Sequence, residues 1–597
     1  MGTLGSTGIL RRIMGYLWRY WHLAALAVSV NLVQSYLEAN LPLIMIRNIV
    51  DIVLVGGDYA RLPYFLGLVL VIFVALSGLS FVGRYVQSYV SQRAIADIRR
   101  SIVQSLQMKS FSFYDQTQTG QLVARLTGDV EAISRLYFFF LTAFVRPVAT
   151  ALFSLYFLSG VDIRLTGLTA ISIPLVLGVN YLYRIKVQPQ WQRVRETWGR
   201  LNQFLQEFLV GIKVVRVFDR EDYELNRFAK ANHEYYDSNV TVTRTQASYY
   251  PLSSLSLGLV TSLIFWYGGG EAIRGYLTVG SLLVFSRYLS MFLQPFQMIG
   301  FFISSYARSM AGATRVFSIV DTQPQIQDRP GTVQLDHVRG DIEFQHVYFA
   351  YDGVRNVLED VDISVKAGET VAILGPTGSG KTTLIYLIAR FYDPTSGKIT
   401  LDGRDIREIK LESLRKNVGI VLQDVFLFSS TIRDNIAFGK PGATMEEITQ
   451  AAKAAQAHEF IMALPKGYET VIGERGVTLS GGQRQRIAIA RTLLVDPKVL
   501  IFDDSTSFVD AETEASIQKA LDKLLENRTT FIITHRLSPI RRADRIVVLN
   551  RGRVAEIGTH EQLLKAGGVY AEIYRTQFAP TERIATEHQP QVEGSGG

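Results

Sequence analysis

The sequence predicts a protein in two parts: an α-helical membrane domain of six spans, followed by an α/β P-loop NTPase domain. Three observations support this. Long apolar runs fill the first half of the 597 residues, and each comes close to the ~20 apolar residues that cross the hydrocarbon of a bilayer. From about Ile342 onward, strand and helix patterns alternate, as they do in α/β domains. Within that second half, a glycine-rich loop joins an apolar strand to a helix.

Composition limits the kinds of molecule that the protein is expected to contact. Mean hydropathy is +0.15, which is high for a soluble protein. The formal net charge of +8 fits either nucleic acid or anionic lipid. The long apolar runs favour the lipid bilayer, and we expect no nucleic-acid partner. The chain has no cysteine, which excludes disulfides, zinc–thiolate sites and thiol catalysis.

Polar stretches with a helical pattern separate some of the six predicted spans. Residues 92–110 and 188–209 carry the polar helical pattern, which predicts helices that extend beyond the bilayer. Arginine, glutamate and glutamine lie within or beside the spans, so these groups should face protein or a water-filled cavity. The spans are expected near 23–50, 62–90, 132–160, 163–184, 247–268 and 278–306.

Composition shifts mark the other boundaries. Residues 1–22 hold an arginine- and aromatic-rich amphipathic segment, expected to lie along the cytoplasmic membrane surface as an elbow. The transmembrane domain then covers 23–320. A Pro- and Gln-rich stretch predicts a linker at 321–340, the nucleotide-binding domain covers 341–578, and the polar residues 579–597 are expected to be disordered.

The glycine-rich loop reads Gly-Pro-Thr-Gly-Ser-Gly-Lys-Thr-Thr over 375–383, directly after the apolar run Thr370–Leu374. Its glycines allow the backbone N–H groups to point at phosphate oxygens, and the helix N-terminus adds partial positive charge. Lys381 would reach the β- and γ-phosphates, and the Thr382 hydroxyl would bind Mg²⁺. The alternative is a glycine-rich turn that binds nothing, but such a turn would not require a strand before it and a helix after it. The expected ATP contacts here are Gly375, Thr377, Gly378, Ser379, Gly380, Lys381, Thr382 and Thr383.

Polar residues at strand ends complete the predicted site. Asp503 ends the apolar run that starts at Val499, where an acid that holds Mg²⁺ must sit. Gln423 also follows an apolar strand, and we assign it to both Mg²⁺ and the attacking water. His535 ends another strand and is predicted to contact the γ-phosphate, although an ordinary hydrogen-bonded histidine is the alternative. Tyr351 precedes a glycine turn and could stack on adenine.

A second motif, Leu479-Ser-Gly-Gly-Gln-Arg-Gln-Arg486, opens a helix about a hundred residues after the P-loop. Together the two motifs resemble those of an ABC transporter, specifically an exporter-type half-transporter with its membrane domain fused ahead of its ATPase domain. The resemblance covers the chain from about Leu10 to Phe578. It implies a six-span membrane part, ATP and Mg²⁺ as ligands, and a second half-transporter subunit as partner.

The resemblance also implies how two subunits share ATP. In this family ATP lies between two nucleotide-binding domains arranged head to tail, and the signature motif faces the partner's Walker motifs. By that resemblance the partner's ATP contacts Ser480, Gly481, Gly482 and Gln483. Asp510, in a D-loop-like segment, would reach across the dimer.

Three further segments resemble the parts that couple the two domains. Residues 113–122, with Tyr114 and Asp115, resemble the first cytoplasmic coupling helix. Residues 209–218, which end in Phe218, resemble the second. Glu474 lies in an exporter-type loop and is the expected contact with the membrane domain.

One departure from the family concerns the general base. Members with a fast site have Glu directly after the Walker B aspartate, whereas this chain has Asp504. Aspartate is shorter by about 1.5 Å, and a misplacement of ~1 Å can cost about 10²-fold in rate. We therefore interpret this chain's own site as slow and predict a heterodimer whose other subunit carries the catalytic Glu. A tolerated Asp504 in a slow homodimer is the alternative.

The predicted activity is ATP-driven export of amphipathic or hydrophobic molecules (drugs, lipids or peptides) by alternating access. The expected location is the cell (inner) membrane, with both termini and the ATPase domain cytoplasmic. An ABC protein without transport would lack the apolar half, and importers usually carry the two domains on separate chains.

Polar residues of the spans are candidates for the substrate cavity, although each could instead form a helix–helix hydrogen bond. Glu38 is favoured for recognising cations because it is an acid one turn before Pro42, a candidate helix kink. The candidate cavity residues are Gln34, Glu38, Arg287, Gln294 and Gln297.

Overall fold

The computed structural model describes residues 6–422, 425–473, 478–504, 519–520, 523–534 and 537–578. The chain divides into two compact units. The first comprises Met1–Gln107 and Thr119–Thr322, and the second comprises Met108–Gln118 and Gln323–Gly597. The first unit is α-helical and the second is α/β, which agrees with the predicted fold class.

The described residues of the first unit form helices joined by short turns. Some of the helices that follow α1 continue directly into π-helical segments; one such segment, Leu43–Val55, begins right after α2. The helices are α1 (Ser6–Trp18), α2 (Trp21–Pro42), α3 (Leu62–Gln107), α5 (Thr119–Ala124), α6 (Val130–Phe138), α7 (Val145–Val161), α8 (Ile163–Val217), α9 (Glu221–Ile273) and α10 (Val279–Asp321).

Three helical stretches among the described residues are long and apolar enough to cross a membrane, namely Tyr59–Gln107, Thr119–Val161 and Glu221–Ile273. The other predicted spans, near 23–50, 163–184 and 278–306, also lie in helical segments, which include α2, α8 and α10.

The longest helices of this unit exceed the thickness of a bilayer. Helices α8 and α9 have 55 and 53 residues, which at ~1.5 Å per residue is about 80 Å, against a hydrocarbon core of ~30 Å. They pack on each other through Val187 and Val194 of α8 and Val242 of α9, all buried. Much of each helix therefore lies outside hydrocarbon, as the polar helical pattern predicted.

The second unit contains two sheets. One is antiparallel, in the order β2-β1-β4-β5, and the other has the order β10-β9-β3-β8-β7-β6, in which β9, β3, β8, β7 and β6 run parallel. The strands are β1 (Ile342–Phe349), β2 (Leu358–Val365), β3 (Thr370–Leu374), β4 (Ser396–Leu401), β5 (Arg404–Asp405), β6 (Val418–Val421), β7 (Val499–Asp504), β8 (Thr529–Thr534), β9 (Arg545–Asn550) and β10 (Arg553–Gly558).

Helices cover the larger sheet on both faces. Every residue of β8 is buried, because a parallel strand between two helical layers meets apolar groups on both sides. The helices of this unit are α4 (Phe111–Gln116), α11 (Lys381–Ile388), α12 (Leu411–Asn417), α13 (Ile432–Ala437), α14 (Met445–Ala454), α15 (His458–Met462), α16 (Gly481–Val495), α17 (Leu537–Arg542), α18 (His560–Ala566) and α19 (Val569–Ile573).

Two separate core clusters place the two ATP-related helices apart. The first cluster joins the antiparallel sheet, β3 and α11, with Leu384 and Ile388 fully buried. The second joins α13 to α16 beside β6 and β7, with Ile487 and Ile489 fully buried. The helix after the P-loop and the helix after the signature motif therefore belong to different parts of the core.

The segment 108–118 groups with the second unit, although the sequence placed it inside a continuous membrane domain at 23–320. Its helix α4 stacks Phe111 on Phe391, with ring centroids 4.1 Å apart. Its Asp115 carboxylate accepts a hydrogen bond from the Tyr392 hydroxyl. The helix predicted at 113–122 is in fact two helices, because the chain is extended at Thr117 before α5 begins.

Candidate nucleotide-binding site

The P-loop lies between β3 and α11, and its glycines are required by backbone geometry. Gly375, Gly378 and Gly380 have φ of +148°, +78° and +99°, in the left-handed region that side chains disfavour. A Cβ on Gly375 would lie 2.2 Å from the carbonyl oxygen of Leu549, and one on Gly380 would lie 2.6 Å from a methyl carbon of Leu358. Neighbouring backbone and side chain therefore hold this loop in a tight curl.

Lys381 begins α11 and turns back over the loop. Its Nζ donates to the carbonyl oxygens of Gly375 at 2.8 Å and Pro376 at 3.0 Å. Burial lowers the pKa of the Lys381 ammonium, while the nearby negative charge of Asp503 opposes that shift. The cation is thus held at the concave side of the loop, where a phosphate group would need it.

The hydroxyl groups of the loop differ in exposure. Ser379 is 3% exposed, and its Oγ has no hydrogen-bond partner among the residues the structure describes. The side chains of Thr377 and Thr382 are exposed, whereas Thr383 is buried. A curled backbone, a lysine ammonium and a buried hydroxyl without a partner together fit a polyphosphate, which accepts hydrogen bonds at every oxygen.

Asp503 reaches the same edge of the sheet from β7. It pairs in register with Ile533 of β8, and Asp504 pairs with Thr534. Since β8 lies between β3 and β7, the two strand ends are about 10 Å apart, and a carboxylate and a long lysine side chain can approach across that gap. The negative charge of Asp503 accordingly acts to raise the pKa of Lys381, against the lowering by burial.

Tyr351 lies beside the P-loop helix. Its hydroxyl is 3.0 Å from Thr383 Oγ1, and the residue is 46% exposed. Its ring makes T-shaped contacts with Phe349 and Tyr392, with centroids 4.8 Å and 5.2 Å away. A ring held by these contacts and still partly exposed suits stacking on a base.

The signature motif caps its own helix. The hydroxyl of Ser480 accepts a hydrogen bond from the backbone N–H of Gln483 at 3.2 Å, and the Gln483 side chain accepts one from the backbone N–H of Ser480 at 3.0 Å. Ser480 and Gly481 are exposed, while Gly482 is buried. The motif is therefore a stable, accessible helix start.

Several predicted site residues cannot be placed. Gln423, Glu474, Asp510 and His535 lie outside the described residues. For Asp504 and Gln297 only the backbone is described, at the end of β7 and in α10.

The predicted coupling residues separate between the two units. Tyr114 and Asp115 lie on α4, in the second unit, and both are exposed. Phe218 directly follows α8 in the first unit and is 70% exposed. The structure thus gives α4 a partner surface within the ATPase unit and leaves Phe218 at a helix end.

Two cavity candidates have partners on neighbouring helices. The carboxylate of Glu38 on α2 forms an ion pair with Arg146 on α7. In the orientation that satisfies its neighbours, the side-chain oxygen of Gln34 accepts from the Ser80 hydroxyl and the Arg146 guanidinium. The sequence favoured Glu38 for recognising a cation, but Arg146 already balances its charge. These contacts are the helix–helix interactions that we named as the alternative role.

Two other cavity candidates lie on α10. Arg287 and Gln294 are both exposed and are separated by two helical turns, so they share one face of the helix. Sequence reasoning did not identify Tyr392, which lies between the predicted adenine contact and Asp115. Its only local signal is its place in the aromatic pair after α11.

Comparisons with known proteins cover both units. Residues 25–296 match the family model described as the ABC transporter transmembrane region, and residues 358–507 match the model described as ABC transporter. A putative multidrug export ATP-binding/permease protein of Bacillus subtilis is 37% identical over 581 residues, covering 96% of this chain and 99% of the relative.

A second relative and a solved structure extend the comparison. An ATP-dependent lipid A-core flippase of Syntrophus aciditrophicus is 37% identical over 554 residues, covering 93% of this chain and 92% of the relative. A solved bacterial Atm1-family ABC exporter with ATP bound is 30% identical, with a TM-score of 0.73, and the match covers 94% of this chain and 99% of that chain. The predicted order of a membrane domain and an ATPase domain is confirmed.

Proposed function

Because this chain belongs to the ABC transporters, as an exporter with its membrane domain fused to an ATP-hydrolysing domain, we propose that it exports amphipathic or hydrophobic molecules by alternating access. It does so as one half of a dimer with a non-identical subunit. The expected location is the cell (inner) membrane, with the ATPase domain and both termini in the cytoplasm.

The chemical class of the substrate follows from the helical unit and the relatives. The helices are rich in apolar and aromatic side chains, and Glu38 and Arg146 balance each other's charge within the bundle. One relative is named as a flippase for a lipid and another as a multidrug exporter. A lipid-like or drug-like molecule with an apolar body and a few polar groups fits this composition best.

In the transport cycle, ATP binding closes two nucleotide-binding domains and hydrolysis resets them. Lys381 and the N–H groups of the P-loop bind the phosphates, and Ser379 supplies a buried hydroxyl. Thr382 and Asp503 would hold Mg²⁺, with Gln423 as a third group; the ion neutralises charge that develops on the β- and γ-phosphate oxygens. We assign the role of acting on the attacking water to Asp504 and a contact with the γ-phosphate to His535.

The heterodimer proposal depends on one observation, the aspartate at position 504. Asp504 is the last residue of β7 and directly follows Asp503. A fixed strand end gives a shorter side chain no means of recovering the lost reach of about 1.5 Å. A general base must come within hydrogen-bond distance of its proton. This chain's own P-loop site is therefore the slow one, and it acts as an ATP clamp while the other site turns over.

The intact signature motif favours the same assembly. Ser480 and Gly481 are exposed at a stable helix start, and in the exporter arrangement they serve the partner's P-loop. A slow homodimer is the second candidate, since its two identical sites would both have a signature motif and Asp504.

Purified full-length protein tests the slow site directly. We expect Asp504→Glu to raise the ATPase rate of the chain alone by about 10- to 100-fold, with Asp336→Glu, an exposed aspartate of the linker region, as the matched control. If the wild-type chain already hydrolyses ATP rapidly and Asp504→Ala abolishes this, the slow-site proposal is wrong.

Transport assays in proteoliposomes test the cargo. We expect a fluorescent lipid or a lipophilic dye to be moved in an ATP-dependent manner by the dimer, and a hydrophilic sugar or free amino acid not to be. Transport of only the hydrophilic probes would overturn the substrate class without affecting the slow-site proposal.

A further inference from the structure

A continuous set of contacts joins α4 to the predicted adenine contact. It runs from Asp115 through Tyr392 and Tyr351 to Thr383, in the first turn of α11. All four residues belong to the second unit. The segment that resembles a coupling helix is thus two side chains away from the nucleotide site.

The first contact is a hydrogen bond from a buried phenol. Tyr392 is 8% exposed, and its hydroxyl donates to the Asp115 carboxylate. Burial, followed by the hydrogen bond with Asp115, raises the pKa of Tyr392, so the hydroxyl keeps the proton that it donates to the carboxylate. Hydrogen bonds to a charged acceptor are stronger than neutral ones, and this one fixes the direction of the Tyr392 ring.

The second contact passes that direction to Tyr351. The two rings meet edge to face, 5.2 Å apart at 88°, and Phe349 meets Tyr351 in the same way at 4.8 Å and 85°. The Tyr351 hydroxyl is held by Thr383. With its hydroxyl held by Thr383 of α11 and its ring in contact with two other rings, Tyr351 can change orientation only if one of these neighbours moves.

Helix α4 is anchored independently of this contact. Phe111 stacks on Phe391, the residue before Tyr392, and the Ser112 hydroxyl donates to the side-chain oxygen of Gln325 at 2.6 Å. Removing the Asp115 carboxylate therefore leaves α4 two other attachments. An effect of Asp115 on the nucleotide can be separated from loss of the helix.

We propose that Asp115 is a positioning residue for nucleotide recognition: it orients Tyr392, which holds Tyr351 in place for the adenine base, so that the coupling segment sets the affinity for ATP through the base and not through the phosphates. This rests on the base-stacking role of Tyr351 in the proposed function.

The test compares a nucleotide with a polyphosphate that has no base. Binding of ATP and of inorganic tripolyphosphate to the full-length protein is measured by calorimetry for wild type, Asp115→Ala and Asp115→Asn. We expect Asp115→Ala to weaken ATP by about 3- to 10-fold, a fraction of the loss expected for a hydrogen bond to a charged group, and to leave tripolyphosphate unchanged. Asp115→Asn keeps an oxygen that accepts from Tyr392 and should restore most of the ATP affinity.

Two further variants complete the design. Ser112→Ala is the matched control, because it removes a contact of α4 with Gln325 and leaves the aromatic contacts intact; it should not change the affinity for ATP. Tyr392→Phe should reproduce Asp115→Ala, and combining the two should weaken ATP binding no further, since both remove one hydrogen bond.

The outcomes separate the inference from its premise. Equal weakening of ATP and tripolyphosphate by Asp115→Ala, or no weakening of either, overturns the positioning role. If Tyr351→Ala also leaves the affinity for ATP unchanged, the base-stacking role is wrong as well. If Tyr351→Ala weakens ATP while Asp115→Ala does not, only the role of Asp115 is wrong.

Discussion

Two helices of the ATPase unit begin at motifs predicted to contact ATP, and their first turns are completed in different ways. Helix α11 begins after Gly380, a residue in the left-handed conformation with no side chain to cap the helix. Helix α16 begins after Ser480, which forms a reciprocal capping box with Gln483. The first N–H groups of α11 are thus left to a ligand, whereas α16 satisfies part of its own first turn.

The difference shows where each motif takes its stability. The P-loop combines three glycines of positive φ, a lysine over its carbonyl groups and a buried hydroxyl. A polyphosphate that binds to these groups would also stabilise the loop. The signature helix is stable on its own and presents an exposed serine and glycine. We infer that the P-loop is built for this chain's ATP, and that the signature motif can meet a nucleotide held by another subunit without having to fold around it.

The largest expected effect is at the start of α11, where the first turn depends on a bound ligand. Lys381→Ala should reduce ATP turnover at this site by about 10²- to 10³-fold, the usual cost of removing a charged donor from a phosphate-binding site. The ATPase rate of the full-length chain measures it, with the exposed Lys366→Ala as the control. An unchanged ATPase rate in Lys381→Ala would mean that the site does not depend on this lysine.

A pair of glycine substitutions tests the shape of the loop. In Gly375→Ala the new Cβ meets the Leu549 carbonyl oxygen, while in Gly378→Ala it meets nothing within 4 Å. We expect losses in the free energy of unfolding of roughly 2–5 kcal/mol for the first and about 1–2 kcal/mol, from the left-handed backbone alone, for the second. Thermal unfolding with and without ATP checks this. Equal losses would show that close packing against β9 does not shape the loop.

The smallest expected effect is at the start of α16, where Ser480 and Gln483 cap the helix. Ser480→Ala should cost about 1 kcal/mol of stability and leave ATP binding at this chain's own P-loop intact. Thr444→Ala is a matched control, because Thr444 and Glu447 form the same capping box on α14. If Ser480→Ala lowers the turnover of the dimer and Thr444→Ala does not, Ser480 contributes more than a cap. A loss of P-loop affinity in Ser480→Ala would contradict the separation of the two ends.

Local features of this site were predictable from the sequence. A strand, a glycine loop and a helix follow one another within twenty residues from Thr370, so periodicity and composition place the P-loop directly. The place of Asp503 near the end of a strand was predicted in the same way, and it lies in β7; its role in holding Mg²⁺ stays a prediction. Both depend on short stretches of chain whose geometry is set by neighbouring residues.

Contacts between distant residues were not predictable. Asp115 and Tyr392 are 277 positions apart, and Glu38 and Arg146 are 108 apart; no periodicity in a single sequence reports such pairs. Glu38 therefore looked like a free acid suited to cations. The break between α4 and α5 was missed because a helix of six residues is too short to show a helical period.

The grouping of residues 108–118 with the ATPase unit has a consequence for biosynthesis. Tyr392 leaves the ribosome 277 residues after Asp115, which at ~5–20 residues per second is about 15–55 s. During that interval the helices from α5 to α10 are made before the surface for α4 exists. Docking of α4 is therefore a late, post-insertion step, and a nascent chain that stops at the linker would still have an unassembled segment inside its finished helical part.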